Sequence, residues 1–163
     1  MPLTAYMKIP DLPGESQRVD HEEEIDVHDI EWVIEQASVA QVGRGRSQSR
    51  AQVDALKFKK FYDASSPYLA LACMQAKSFD EIVLMVRKDS GEAHLDYLTI
   101  TMTNCIISQY HVIGVGETNP DSQMIEEQAG LAFEQVNIKY VVQADDHSAG
   151  DEHEVEFDIA AGA

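Results

Sequence analysis

The feature that most constrains this chain is a pair of alternating segments joined by a short turn. Phe79–Lys88 and His94–Thr103 flank Asp89–Glu92, which contains a serine and a glycine that favour a turn. From Tyr97 to Thr103, apolar residues alternate with tyrosine and threonine. Because successive side chains of a β-strand point to opposite faces, this alternation is typical of a strand with one face in a core. The pattern predicts an antiparallel β-hairpin.

Strand patterns also occur before and after the hairpin. They are predicted at Tyr6–Ile9, Glu24–Val27, Ile106–Val115, Leu131–Tyr140 and Val155–Ile159. After Val27, the apolar positions continue with the opposite parity at Ile30 and Trp32. A slip of one residue moves every side chain to the other face of a sheet, so a β-bulge is expected near His28–Asp29. Asp145–Glu152 is predicted to be an acidic loop or a flexible segment.

One segment has the composition of a helix. Ser66–Gln75 begins with serine and proline, which together mark a helix start, and continues with Ala, Leu and Met. It has almost no polar face, so we expect it to be largely buried. One helix among many strands, with turns at short intervals, predicts a mainly β fold, either an antiparallel barrel or a sandwich.

The charge balance is strongly acidic. Twelve Lys and Arg residues stand against 29 Asp and Glu residues, which gives a formal net charge of −17. Such a chain lacks the cations that replace counterions on a phosphate backbone, so no nucleic-acid partner is expected. The acidity fits either a solvated surface or a surface that selects partners by charge.

Neither a membrane span nor a cleaved leader is predicted. The longest apolar runs, such as Ile82–Val86, are too short to cross a bilayer, and the first residues lack a basic leader followed by an apolar stretch. The expected place of synthesis is therefore the cytoplasm, with any export following a route that needs no cleaved signal. Cys73 and Cys105 are too sparse for a disulfide framework and are expected to be buried free thiols.

The sequence contains no phosphate-binding glycine loop and no nucleophile elbow. His21–Glu24 and Asp145–His153 combine histidines with acids, but neither has a recognised metal-ligand spacing. Asp26 and His28 share a strand face without a nucleophile beside them. These groups are interpreted as solvated structure, so no catalytic, cofactor-binding or metal-binding residue is predicted.

The longest irregular segment is Val42–Arg50, which is rich in glycine and serine. Arg44, Arg46 and Arg50 form the densest basic cluster of the chain. The cluster is consistent with a solubilising loop or with an arm that docks on an acidic neighbour.

Taken together, the motifs resemble the Hcp family, the tube-forming component of type VI secretion systems. The resemblance covers about residues 3 to 142, and single motifs are weak whereas their joint order is specific. The motifs that carry it are Gly14–Ser16, His21, Glu23–Val27, Trp32, Phe58, Lys60, Asp63, Ser66–Pro67, Leu69, Cys73, Val86–Arg87, Tyr97–Leu98, Ile100–Thr101, Ser108, Phe133, Val136, Ile138 and Tyr140.

The resemblance implies a fold and an assembly. The fold would be an antiparallel β-barrel of two sheets with one flanking α-helix, built by residues 1–163 as a single domain whose tail, 145–163, matches weakly. Copies would close into hexameric rings that stack into a tube. A spike protein would tip the tube, a contractile sheath would expel it, and effector proteins would travel in its lumen. The protein would be cytoplasmic before firing and then secreted to the extracellular space or a target cell, and none of this requires an enzyme or a cofactor.

Two departures from the family pattern concern the assembly. Arg44, Arg46 and Arg50 replace glycine and small residues in a loop that contacts neighbouring subunits or rings in relatives. Glu31 stands before Trp32, where relatives often carry a small polar residue facing the lumen. The hypotheses are therefore that the arginines lie at a subunit or ring contact and that Glu31 faces the lumen. Two alternatives remain open: a monomeric acidic β-barrel that binds a ligand or a protein, and a small metal-dependent enzyme.

Overall fold

The computed structural model describes residues 3–36, 51–90, 93–114, 124–146 and 148–162. Within these ranges the chain forms strands and a helix, α1, which spans Ser66–Gln75 as predicted. The strands are β1 (Leu3–Lys8), β2 (Ile25–Glu31), β3 (Ile34–Glu35), β4 (Gln52–Val53), β5 (Leu56–Phe61), β6 (Ser78–Ser90), β7 (Ala93–Gly114), β8 (Glu126–Gln143) and β9 (Ala149–Asp158). The predicted hairpin is confirmed as β6 and β7, which pair along their length.

The main sheet closes on itself. Its strands follow the order β5-β2-β1-β6-β7-β8-β9, and an additional antiparallel pairing joins β5 to β8. That pairing closes six strands into a barrel and leaves β9 outside the closed ring. A separate two-stranded ribbon joins β3 to β4. The predicted antiparallel barrel with one helix is therefore confirmed.

One edge of strand β8 pairs with two different strands. Its first part, Glu126–Leu131, pairs with β5 and closes the barrel. Its later part, from Gln135 to Gln143, pairs with β9. The other edge of β8 pairs with β7 from Glu126 to Tyr140, so β8 is the strand at which the closed barrel meets the projecting edge strand.

The interior of the barrel is apolar. Its fully buried side chains include Met7, Ile25, Leu56, Phe58, Leu69, Ile82, Met102 and Leu131. The alternation predicted for the start of β2 is confirmed, since Ile25 and Val27 are buried whereas Asp26 is exposed. Full burial of such a side chain contributes about 1.5–3 kcal/mol relative to exposure.

The predicted bulge in β2 is confirmed. His28 pairs with Lys59 of β5, but the next paired residue on β2 is Glu31, opposite Lys57. Three steps on β2 therefore correspond to two on β5, which is the definition of an inserted residue. Asp29 absorbs the irregularity with a φ of +48°, in the left-handed region that aspartate tolerates better than most residues.

The expectation that α1 is largely buried is wrong. Leu69 and Ala72 are buried against the barrel, where the helix packs on β7. Tyr68, Leu71 and Met74 lie on the opposite side with 56%, 45% and 77% of their surface exposed. The helix packs on the barrel through one face, so only that face finds apolar neighbours, although its residues are apolar on all sides.

The acidic segment near the C-terminus is only partly a loop. Strand β9 begins at Ala149, so the second half of the predicted Asp145–Glu152 loop is extended and paired with β8. Charge and glycine masked the strand in the sequence, because nearly all of β9 is exposed and its polar residues occupy both faces. Among the described residues no helix is long and apolar enough to cross a membrane.

Candidate assembly surfaces and the networks that position them

The outward face of β2 and β5 carries charges of both signs. Glu31 is exposed at the end of β2 and pairs with Lys57, whereas Asp29 lies 3.8 Å from the Lys59 ammonium. His28 also points to this face, and its Nε2 lies 3.1 Å from Oε1 of Glu126 on β8. No other described segment covers Glu31, the position that the sequence analysis singled out.

Trp32 fixes the backbone beside Glu31. Its indole Nε1–H donates to the carbonyl oxygen of Asp54 at 3.0 Å, and its ring meets Phe133 edge-on with centroids 5.8 Å apart. The tryptophan is half-buried and packs against the barrel core. Because Trp32 is anchored, the backbone of Glu31 at the end of β2 is held in one position.

Among the described residues, strand β9 has an unpaired edge, and one of its faces is apolar and exposed. Val155 and Phe157 are 63% and 37% exposed, yet they lie opposite Ile138 and Val136, which pack with the core. The face that is buried inside the barrel therefore continues outside it. In the described ranges, β8 is the one strand that pairs with β9.

The other face of β9 is acidic. Glu152, Glu154 and Glu156 alternate along it, and Lys139 of β8 lies 3.5 Å from Glu152. The side-chain amide of Asn137 donates to the carboxylates of Glu154 and Glu156 at 3.1 and 3.3 Å. These contacts leave a net negative surface on β9, which would favour a basic counterpart.

A buried polar network joins the helix to the barrel. Lys60 of β5 and Glu127 of β8 have almost no exposed surface, and the Lys60 ammonium donates to Oε1 of Glu127. Lys60 also lies 2.9 Å from Asp63 and donates to the hydroxyl of Ser66 at 2.8 Å. Ser66 and Tyr110 both donate to the Glu127 carboxylate. One ammonium therefore serves two carboxylates, and the hydroxyls of Ser66 and Tyr110 supply further donors to the buried Glu127.

The network keeps Tyr110 protonated. Burial raises the pKa of the Tyr110 phenol far above its usual value, and its hydrogen bond to Glu127 raises it further. The phenol is therefore a permanent donor to the carboxylate at physiological pH. Lys60 and Glu127 are buried, so no substrate reaches them. Their hydrogen bonds hold α1, β5, β7 and β8 together.

His21 belongs to a second buried network, so the interpretation of His21 and its acids as solvated structure is wrong. The imidazole is 2% exposed and stacks on Tyr6 with ring centroids 4.3 Å apart. Its Nδ1 lies 2.7 Å from Glu24, and its Nε2 lies 3.0 Å from both carboxylate oxygens of Asp96. The two carboxylates therefore hold the ring from both sides and tie the loop before β2 to β7.

Arg87 ties the same network to the N-terminal loop. Its Nε–H donates to Asp96 at 3.0 Å, and its Nη1–H donates to the carbonyl of Val19 at 2.9 Å. Gly14 in the same loop lies so close to β2 that a Cβ there would come within 2.4 Å of the Glu24 carbonyl oxygen. The segment between β1 and β2 is thus fixed on the barrel wall by hydrogen bonds and close packing.

The sequence analysis identified some of the residues of these surfaces and networks and missed others. Glu31 is described and exposed, whereas Arg44, Arg46 and Arg50 lie outside the described residues. The spacing of Lys60, Asp63 and Ser66 marked that region as a family motif, but its partner Glu127 is 67 residues from Lys60 in the chain and carried no local signal. The burial of His21 was missed because its neighbours in sequence are acidic.

The comparisons with known proteins agree with this architecture. A family model described as "Type VI secretion system effector, Hcp" matches residues 6–140. The curated protein Hcp1 of Pseudomonas aeruginosa is 33% identical over 146 residues, which cover 90% of this chain and 88% of that protein.

Solved structures show the same fold. The crystal structure of Hcp1 from Salmonella typhimurium superposes with a TM-score of 0.79 at 28% identity, covering 99% of this chain and 97% of the other. A structure described as that of a type six secretion system protein has a TM-score of 0.91 at 22% identity, with 99% of both chains covered. The family is structural and non-enzymatic. Its model spans most of the chain, including the barrel, the helix and both buried networks, so the chain belongs to the Hcp family and is a tube protein of the type VI secretion system.

Proposed function

We propose that the chain acts as a single domain that closes into hexameric rings, which stack into the expelled inner tube and carry effector proteins in the lumen. The observation that supports this proposal is the open edge of β9 with its exposed Val155 and Phe157. An unpaired strand edge beside exposed apolar residues is a template for association. A head-to-tail contact that closes into a ring hides such an edge in every copy.

A charge introduced on the apolar face of β9 tests ring formation. We expect Phe157→Asp to abolish closed rings, because the carboxylate would be buried against the neighbouring copy without a partner. Met74→Asp is the matched control, since Met74 is an exposed apolar residue on α1, away from β9. Electron microscopy and light scattering after gel filtration report rings and mass.

The ring proposal also has a clear contrary outcome. Wild-type protein that stays a compact monomer across a wide concentration range would contradict it and favour the monomeric acidic barrel. Rings that form equally well with Phe157→Asp would move the interface away from β9 while leaving the ring itself intact.

In such a ring, Glu31 faces the lumen and biases its cargo. The side chain is exposed on the outward face of β2 and adds negative charge there, which favours basic effectors. Glu31→Ser rings should retain a basic effector less well than wild-type rings while retaining an acidic effector at least as well. Identical retention of both effectors by both rings would contradict a lumenal role for Glu31.

The basic cluster Arg44, Arg46 and Arg50 docks on acidic residues of the adjacent subunit or ring. The acidic net charge of the chain and the carboxylates of β9 supply complementary surfaces. Reversing all three charges should prevent ring formation or stacking, and unchanged assembly would exclude the contact. The remaining partners are the spike protein at the tip and the contractile sheath. The protein resides in the cytoplasm before firing and leaves the cell with the tube.

A further inference from the structure

The geometry points to a divalent transition-metal site, suited to Zn²⁺, on the outward face of the barrel at the bulge of β2. Its ligands would be Nε2 of His28 and one carboxylate oxygen each from Asp29 and Glu126, and these atoms all lie within 4.8 Å of one another. The sequence predicted no metal site, because Glu126 is 98 residues from His28 and the two meet only when β5 brings β2 next to β8.

The bulge allows neighbouring residues to share the site. In a regular strand, His28 and Asp29 would point to opposite faces of the sheet. Here the register shifts after His28, and Asp29 adopts a φ of +48°. The carboxylate of Asp29 therefore lies on the same side as the imidazole of His28, where it can reach the same ion.

The spacing suits a tetrahedral ion. Zinc bonds of about 2.0–2.1 Å to nitrogen and oxygen place two tetrahedral ligands about 3.3 Å apart. The measured separation of His28 Nε2 and Glu126 Oε1 is 3.1 Å. An ion between them would need small side-chain movements to bring in Asp29. Since His28 and Glu126 are each about one-third exposed, water can supply the fourth ligand.

The donor set selects the class of cation. One imidazole nitrogen with two carboxylates suits zinc and related transition metals, whereas Ca²⁺ prefers sites made of oxygen alone. The ring of Phe61 lies 5.0 Å from the His28 ring and restricts its movement. The ammonium of Lys59, 3.8 Å from Asp29, competes with a cation for that carboxylate.

The buried network around His21 shows why similar residues do not suffice. His21 also faces two carboxylates, but Glu24 approaches Nδ1 and Asp96 approaches Nε2. The two ring nitrogens point away from each other, so the carboxylates cannot converge on one ion. At His28, one ring nitrogen and one oxygen of each carboxylate lie within 4.8 Å of one another, so a single ion can contact all three groups.

Calorimetric titration of the full-length protein with Zn²⁺ tests the site. Wild-type protein should bind one ion per chain. His28→Ala and Glu126→Gln should each weaken that binding by about tenfold or more, because removing even an outer partner of a metal ligand costs about 10–100-fold. Lys59→Gln should tighten binding by about threefold or more, since it removes the competing cation. His153→Ala and Glu156→Gln on β9 are matched controls and should bind like wild type.

The dependence of binding on His28 and the number of ions bound separate a defined site from general attraction to an acidic surface, because removing the Lys59 charge would strengthen both. A surface of scattered carboxylates would bind Zn²⁺ as well without His28 and would yield several weak ions per chain. Either result, or the absence of any binding by wild-type protein, would overturn the proposal. Co²⁺ substitution gives an independent readout, because tetrahedral coordination produces a visible absorption band that His28→Ala should remove. Circular dichroism of each variant confirms that the barrel is intact.

Discussion

The two parts of strand β8 show how one strand can serve folding and assembly. From Glu126 to Leu131, β8 lies between β5 and β7, and its inward side chains are fully buried. From Gln135 to Tyr140, it lies between β7 and β9, and nearly all of β9 is exposed. The first part contains a buried ion pair, whereas the second ends in a surface with apolar and acidic faces.

This difference predicts where substitutions should lower the stability of the fold and where they should not. In the closed part, Glu127 is paired with Lys60 inside the chain, so a lost partner leaves a buried charge behind. On β9, which pairs with the open part, water already contacts nearly all side chains of the isolated chain, so substitutions there should act mainly on association. Stability should therefore respond to the closed part of β8, and assembly to the strand that pairs with its open part.

The largest effect is expected at the buried ion pair. Glu127→Ala should lower the free energy of unfolding by about 3–5 kcal/mol, because it leaves the Lys60 ammonium buried without its main partner. Glu126→Ala, one residue earlier on the outward face, should change stability by about 1 kcal/mol or less. Urea unfolding followed by circular dichroism measures both. Equal losses for the two variants would break the contrast between the inner and outer faces of β8.

A smaller difference is expected between apolar residues of the two parts. Leu131→Ala should cost about 2–5 kcal/mol, since Leu131 is fully buried and truncation leaves a cavity. Val155→Ala, on the exposed face of β9, should stay within about 0.5 kcal/mol for the monomeric chain. Thermal unfolding at low protein concentration compares the two. A large loss for Val155→Ala under those conditions would mean that β9 stabilises the barrel itself.

The smallest effect is a chemical one at the junction of the two parts. Cys105 of β7 pairs with Phe133, and burial raises the pKa of its thiol from 9.0 to about 11. Since the native pKa exceeds the unfolded one, this thiol stabilises the fold below pH 9 and loses that contribution as the pH rises from 9 to about 11. A thiol reagent at pH 8 should modify the partly exposed Cys73 first. Faster labelling of Cys105 would indicate that the junction opens readily.

The sequence predicted local features well when local chemistry determined them. The ends of α1, the hairpin and the bulge near His28–Asp29 follow from turn residues, proline and side-chain parity, and all three are confirmed. It failed where distant residues decide the outcome. The burial of His21 depends on Asp96 and Arg87, which no pattern near His21 reveals.

The exposure of α1 shows the same limit from the other side. Alanine, leucine and methionine predict a helix and its burial with equal force, but burial depends on what surrounds the helix. Here the barrel covers one face of the helix, so Tyr68, Leu71 and Met74 remain exposed in the isolated chain. Composition determined the element, whereas the closed barrel determined which of its faces is covered.

The single tryptophan gives the protein a built-in optical probe. Because Trp32 is the one indole of the chain, all tryptophan emission comes from the residue next to Glu31. Its half-buried ring and its hydrogen bond to Asp54 place it where a change in polarity shifts the emission wavelength. A partner without tryptophan that bound beside Glu31 would therefore be followed by fluorescence without a label, in the unmodified protein and in real time.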